Sequence, residues 1–149
     1  MYKMNNVRII VVGHIKNKSL KDEIDRLSKR VSRLEIQTLK ECKNKSIDEI
    51  KKQEEKAIIS KLPEDLNQVY LLKEDGKEFT TQQFYYENKN KSLIFVISGP
   101  YGPSENLQNK IPNHLSLSKM TFTHEQALYL LVEQLYRIET IDKNKDYHK

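Results

Sequence analysis

The sequence predicts an α/β protein: a mostly parallel sheet of about five strands with helices on both faces. Three observations predict it. The runs Val7–Val12, Gln68–Leu72 and Leu93–Ile97 are apolar but for Arg8 and Gln68, and do not alternate. That is the signature of strands covered on both sides. Segments with apolar residues at helical spacing fall between these runs, so strands alternate with helices. No internal repeat, low-complexity stretch or linker divides the 149 residues, which read as one domain, 1–149.

The elements follow in order. Val7–Val12 (VRIIVV) is a buried strand ending at Gly13. Ser19–Val31 is a helix with Leu20, Ile24, Leu27 and Val31 on one stripe. Leu34–Leu39 alternates and reads as a more exposed strand near an edge. Ser46 caps a helix running to about Lys61, with Ile47, Ile50, Ala57 and Ile58 as its stripe and Pro63 past its end. Gln68–Leu72 is the third strand, and Glu74-Asp75-Gly76-Lys77 is a turn. Thr80 or Thr81 opens a helix to about Tyr86 or Glu87, anchored by Phe84. Leu93–Ile97 then breaks into Ser98-Gly99-Pro100-Tyr101-Gly102-Pro103, and Ser104 caps a short helix over Glu105–Lys110. Leu115–Phe122 is a small fifth strand with serines interleaved. The last helix, about His124–Ile141, is apolar almost all round between Ala127 and Tyr136. Such a helix is covered on more than one face, and a second subunit is the expected second cover. The charged tail Lys143–Lys149 has no apolar run to hold it and should fray.

Composition excludes more than it selects. The net charge of +5 suits a polyanionic partner, but a lysine-rich solvated surface gives the same count. No signature of the common RNA-binding modules is present. No apolar run approaches eighteen residues and the first six residues are polar, so neither a membrane span nor a signal peptide is expected. Cys42 stands alone, which rules out an internal disulfide and fits a reducing cytoplasm. His14, His114, His124 and His148 lack ligand spacing, so no metal site is expected.

The stretch around Gly99 is where chemistry is expected. Two of the four glycines and two of the four prolines fall within Gly99–Pro103, which fixes a specific backbone path. A strand running into a Gly-rich turn and a helix is where α/β folds bind ligands. The spacing is neither the dinucleotide fingerprint nor a phosphate loop. If the turn lines a pocket, Gly99 and Gly102 belong to it, and a side chain at Gly99 should crowd the ligand while leaving the fold intact.

The turn, LSLSKMTFTH (Leu115–His124), LLVEQLYR (Leu130–Arg137) and DYHK (Asp146–Lys149) come in a characteristic order. In that order and spacing the chain resembles the RlmH-type methyltransferases of the SPOUT superfamily, which methylate N3 of a pseudouridine in large-subunit ribosomal RNA. The likeness covers nearly the whole chain; it is strongest from Leu93 onward and thin between Lys40 and Leu66. It implies an α/β knot in which the Leu115–Phe122 segment and the final helix thread through the loop before them. It also implies a cytoplasmic homodimer acting on ribosomal RNA or the assembled ribosome. The implied cofactor is S-adenosyl-L-methionine, with contacts at Leu72, Ser98 and Leu117, Ser118, Lys119, Met120, Thr121 and Phe122. Ser98 stands where the family usually has glycine, and Leu128 where it usually has arginine.

The residues named for catalysis are His148, Tyr147, Arg137 and Glu133. N3 of a pseudouridine carries a proton that must leave. Histidine can accept one near neutral pH. Arginine cannot, but it can stabilise a developing oxyanion or grip phosphate. Glu133 lies four residues before Arg137, so the two can instead simply pair. Tyr101 can stack on a base or merely cover the pocket. The resemblance places the tail over a cofactor pocket, its own or the partner subunit's. Two rival readings remain: an RNA- or ribosome-binding protein of this fold that has lost methyl transfer, motivated by Ser98 and Leu128, and a small-molecule methyltransferase or other nucleotide-binding enzyme.

Overall fold

The computed structural model describes residues 5–148. Met1–Met4 of the polar amino terminus, and Lys149 of the DYHK tail, lie outside the described residues. Five strands, β1 (Val7–Val12), β2 (Leu34–Leu39), β3 (Val69–Glu78), β4 (Leu93–Ile97) and β5 (Asn113–Ser116), pair in parallel in the order β2-β1-β4-β3-β5. Five helices connect or follow them: α1 (Lys18–Ser28), α2 (Ile47–Ile59), α3 (Thr81–Asn88), α4 (Glu105–Lys110) and α5 (His124–Asp142).

The continuous apolar strands are explained by two cores, one on each face of the sheet. Val7, Ile9 and Val11 of β1, with Leu93, Phe95 and Ile97 of β4, face α1, α3 and α5. Ile10, Val12 and Val96 face the other way, with Leu71, onto Ile58 of α2 and Leu107 and Ile111 near α4. Alternate residues thus bury on opposite sides, and the one polar position of β1 and β4 is the half-buried Arg8, which donates to Gln37 Oε1 at 3.1 Å. β2 lies at the sheet edge, as its alternation predicts. Each helix begins on a side-chain cap, and α3 and α5 carry reciprocal capping boxes, Thr80 with Gln83 and Thr123 with Gln126.

Four expectations are corrected. Glu74–Lys77 is not a turn between elements: β3 runs through it, and both Leu72 and Lys77 lie opposite Leu115 across an irregularity. Gly76 permits this, because a Cβ there would sit 2.7 Å from the His114 backbone. The fifth strand ends at Ser116 rather than Phe122. Its serines end it: Ser116 Oγ donates to Glu74 O and Ser118 O, and Met120 N–H donates to Ser118 Oγ, so side chains replace ladder bonds. On α2, Ile47 is 52% exposed, and the buried stripe is Ile50, Glu54 and Ile58. The tail is docked rather than frayed: the Tyr147 ring meets Tyr136 edge to face at 4.7 Å.

Candidate functional site

A cleft of about 290 Å³ opens at the carboxyl ends of β4 and β5, beside the middle of β3. The middle of β3 supplies Leu72, Lys73 and Glu74. The turn after β4 supplies Ser98 to Pro103. The loop after β5 supplies Leu117, Ser118, Met120, Thr121 and Phe122, and the start of α5 supplies His124 and Ala127. Of the ten residues named for cofactor contact, nine line this one cleft: Leu72, Ser98, Gly99, Gly102, Leu117, Ser118, Met120, Thr121 and Phe122. Lys119 does not line it. Its side chain is 83% exposed and lies 3.6 Å from Glu78.

The glycine turn forms one wall of the cleft. Gly99 N–H donates to a buried carboxylate behind the turn, Glu54 Oε1, at 3.2 Å, and Gly102 N–H closes the turn onto Gly99 O at 3.0 Å. Gly102 has φ +77°, a left-handed conformation that suits glycine. A Cβ on Gly99 would meet the Glu54 carboxylate at 2.7 Å. The expectation for Gly99 is therefore corrected: an added side chain strikes α2, which is structure, before it could crowd a ligand. Ser98 Oγ is buried and has no hydrogen-bond partner among the described residues. An orphaned hydroxyl on the wall of a cleft is the feature a polar ligand group would satisfy.

Three side chains on the rim are anchored. Lys73 Nζ donates to Gln108 Oε1 at 2.6 Å and lies 3.1 Å from Asp75. His124 approaches Gly13 and the His14 carbonyl. Glu125, beside it, accepts the N–H groups of Asn17 and Lys16, and these bonds, Asn17 first, hold its carboxyl below the ordinary range. The loop after β1 is thereby tied to the start of α5. Tyr101 and Met120 stand exposed at the mouth.

The residues named for catalysis form a second group, apart from the cleft. Glu133 Oε1 accepts from Arg137 Nε at 2.7 Å and from the Tyr147 hydroxyl at 3.1 Å. The Arg137 guanidinium lies over the Tyr147 ring at 5.0 Å. Burial, and then the bond to Glu133, push the Tyr147 hydroxyl above its usual value. His148 faces a groove of about 480 Å³ lined by Phe84, Leu115, Leu130, Leu131, Leu135 and Ile138 among others. Its Nδ1 is buried without a partner among the described residues. Glu133 is six residues past Ala127, which puts it about 9 Å further along α5. Neither it, Arg137, Tyr147 nor His148 lines the cleft. The structure assembles the two predicted sets separately within one chain.

Leu128 is buried in the core against the sheet and does not line the cleft. His114 bridges the Gln108 and Ile111 carbonyls at the end of α4, a structural role. Sequence reading missed Lys73, His124 and Ala127 on the cleft wall, and Glu54 behind it. Glu54 had a signal: it sits midway between Ile50 and Ile58 on the apolar stripe of α2.

Comparison with known proteins bears on the family and the fold. Residues 5–148 match a family described as "Predicted SPOUT methyltransferase". The chain is 41% identical to the ribosomal RNA large subunit methyltransferase H of Flavobacterium johnsoniae, over 96% of this chain and 98% of that one. It is 38% identical to the Clostridium perfringens protein of that name, over 97% and 99%, and 34% identical to that of Kosmotoga olearia, over 96% and 99%. Among solved structures it resembles in fold a probable methylase family protein from Haemophilus influenzae, with TM-score 0.54 and 13% identity, covering 98% of this chain and 71% of that one. It also resembles the SpoU methyltransferase AviRb of Streptomyces viridochromogenes, with TM-score 0.50 and 9% identity, covering 97% and 63%.

Proposed function

We propose that this chain, which belongs to the SPOUT methyltransferase family, methylates large-subunit ribosomal RNA at N3 of a pseudouridine. It is an S-adenosylmethionine-dependent methyltransferase with a five-stranded parallel α/β fold, and its family implies the α/β knot. The observation that carries the substrate is the near full-length identity to proteins named for methylating that RNA. The chain reads as a single domain acting in the cytoplasm, and among the described residues no helix is long and apolar enough to cross a membrane.

The cleft at the strand ends suits the donor. Turn backbone can read the donor and acceptor edge of adenine, and the unpartnered Ser98 Oγ offers a further polar contact. When bound, S-adenosylmethionine supplies a methyl group electrophilic enough to need no acid. The chain's task is then to align the acceptor nitrogen and to receive its proton. His148 is the group able to take that proton. Glu133 and Tyr147 hold Arg137 in place, and Arg137 stabilises negative charge on the base.

These groups and the cleft are apart within one chain, which supports a homodimer. The groove along α5 leaves half-buried Phe79, Leu117 and Leu130 as apolar surface for a second copy to bury. In such a pair the tail of one copy can serve the cleft of the other. Sedimentation tests this reading; a monomer at every concentration would refute it.

Incubation with labelled S-adenosylmethionine and purified ribosomes, free subunits or naked rRNA tests the function. Label in large-subunit rRNA, lost when the target uridine is not isomerised, is expected. Donor binding with no transfer to any RNA would favour the reading in which the fold has kept binding and lost transfer.

A further inference from the structure

Helix α2 grips the glycine turn from behind at two points. Glu54 Oε1 accepts the Gly99 N–H at 3.2 Å. Glu55, the next residue, accepts from Ser104 Oγ and from Asn106 Nδ2, the latter at 3.1 Å. Ser104 is also the cap of α4, accepting the Leu107 N–H at 3.1 Å. Adjacent glutamates thus hold the segment on both sides of Pro100–Pro103.

Glu54 is the unusual member. It is 6% exposed, and its second oxygen has no partner among the described residues. Burial pushes its carboxyl above the ordinary value, with the charge of Glu41 adding to the effect and the Gly99 N–H opposing it. A buried carboxylate with half its acceptors empty destabilises a fold. A residue kept for packing alone would be apolar here, like Ile50 and Ile58 one turn either side. Glu54 does not line the cleft; it fills the space directly behind Gly99, on the side where a Cβ would point.

We propose that Glu54 is a positioning residue for the methyl donor: by holding the Gly99 N–H from α2 it sets the path of Ser98–Gly102 and so the shape of the donor cleft. It touches neither donor nor RNA. This rests on reading the cleft as the donor site, and reach rather than charge is the property that matters.

Two near-isosteric variants separate reach from charge. Glu54→Gln keeps an acceptor oxygen at the same distance and removes the charge. Glu54→Asp keeps the charge and falls one methylene short of Gly99. Calorimetric titration of the unmodified protein with S-adenosylhomocysteine first tests the site reading; absence of binding there sinks that reading, and this inference with it. With binding present, Glu54→Asp should weaken it about tenfold and raise KM for S-adenosylmethionine in step, while kcat at saturating donor stays within about twofold. Glu54→Gln should rescue binding to within about twofold of the unmodified protein. An unchanged donor Kd in a folded Glu54→Asp variant, or a Glu54→Gln loss as large as that of Glu54→Asp, overturns the proposal. Melting temperatures of both variants are read alongside. If Glu54→Asp unfolds at assay temperature, Glu54→Gln alone decides, since a loss of affinity there refutes a role based on reach.

Discussion

The cleft at the strand ends and the groove along α5 are neighbours made of opposite materials. The cleft is walled by turns, two glycines and an unpartnered serine hydroxyl. The groove is larger and walled by Leu115, Leu130, Leu131, Leu135 and Ile138, with His148 at its edge. A surface of main-chain groups recognises a ligand by hydrogen-bond pattern and tolerates side-chain change. An apolar groove recognises little, but the part of it still exposed, Leu130 among it, gains about 25 cal/mol for each Å² it buries. Of the side chains proposed for catalysis, His148 lines the groove and none lines the cleft. On the proposed reading, holding the methyl donor and handling the proton fall to different parts of the chain, and a second copy is the proposed means of bringing one to the other.

Deleting Asp146–Lys149 breaks this division most sharply. Among the described residues the tail contributes His148 to the groove, sets Tyr147 on Glu133, and gives nothing to the cleft. Methylation of ribosomes should fall by a factor on the order of 10² or more, the usual weight of a proton-transfer group. Affinity for S-adenosylhomocysteine should be unchanged. The melting temperature should drop by no more than about 4 °C, since roughly 1 kcal/mol of packing corresponds to 2–4 °C in a chain of this size. Single variants sharpen the result. If Tyr147→Ala is severe and His148→Ala mild, the tail acts by packing on Tyr136 and Arg137. Normal methylation by the truncated protein would remove both residues from the site.

The same division explains what the sequence made legible. The buried strands showed because both their faces need apolar side chains, and that pattern is written residue by residue. The cleft showed only as a cluster of glycine and proline, because main-chain recognition leaves few side-chain marks; the resemblance gathered Leu72, Ser98 and Leu117–Phe122 into one site. Lys119 was misplaced because the loop after β5 bends on Ser116 and Ser118, a geometry local to those hydroxyls. β3 was read as ending in a turn at Glu74–Lys77, because Gly76 signals a turn in sequence and a close approach to β5 in space. The docking of the tail depends on contacts among Tyr136, Arg137, Glu133 and Tyr147 that no local pattern encodes.

The two glycines of the turn give an intermediate effect, and they differ for a structural reason. Gly99→Ala drives a methyl group onto the Glu54 carboxylate and should destabilise by about 1–3 kcal/mol, as overpacking does. A Cβ on Gly102 meets nothing within 4 Å, so Gly102→Ala suffers only its left-handed backbone, about 1 kcal/mol. Denaturant midpoints of the two variants check this order. The Gly99 defect should shrink when Glu54→Ala is added, because the added space receives the methyl, and the Gly102 defect should not. Equal losses, each indifferent to Glu54, would mean that the turn is not braced by α2.

The smallest effect expected is a dependence on pH, and its sign follows from burial. Burial holds the Glu54 carboxyl above its ordinary value of 4.5. The folded protein therefore binds this proton more readily than the unfolded chain does. Stability from that proton is fully present below pH 4.5 and is lost as pH rises through the higher folded value. Above that window the native state holds a buried charge that the unfolded chain would solvate. Glutamine carries no charge at any pH and keeps the bond from Gly99. Glu54→Gln should thus melt near the wild-type temperature at pH 4 and above it at pH 8, by a few degrees for roughly 1 kcal/mol. Thermal melts of both proteins at half-unit steps between these limits measure the gap. A gap that opens the other way, with the glutamine protein losing ground as pH rises, would mean that the Gly99 N–H outweighs desolvation. The charge itself, and not only the reach of the side chain, would then be what holds the turn.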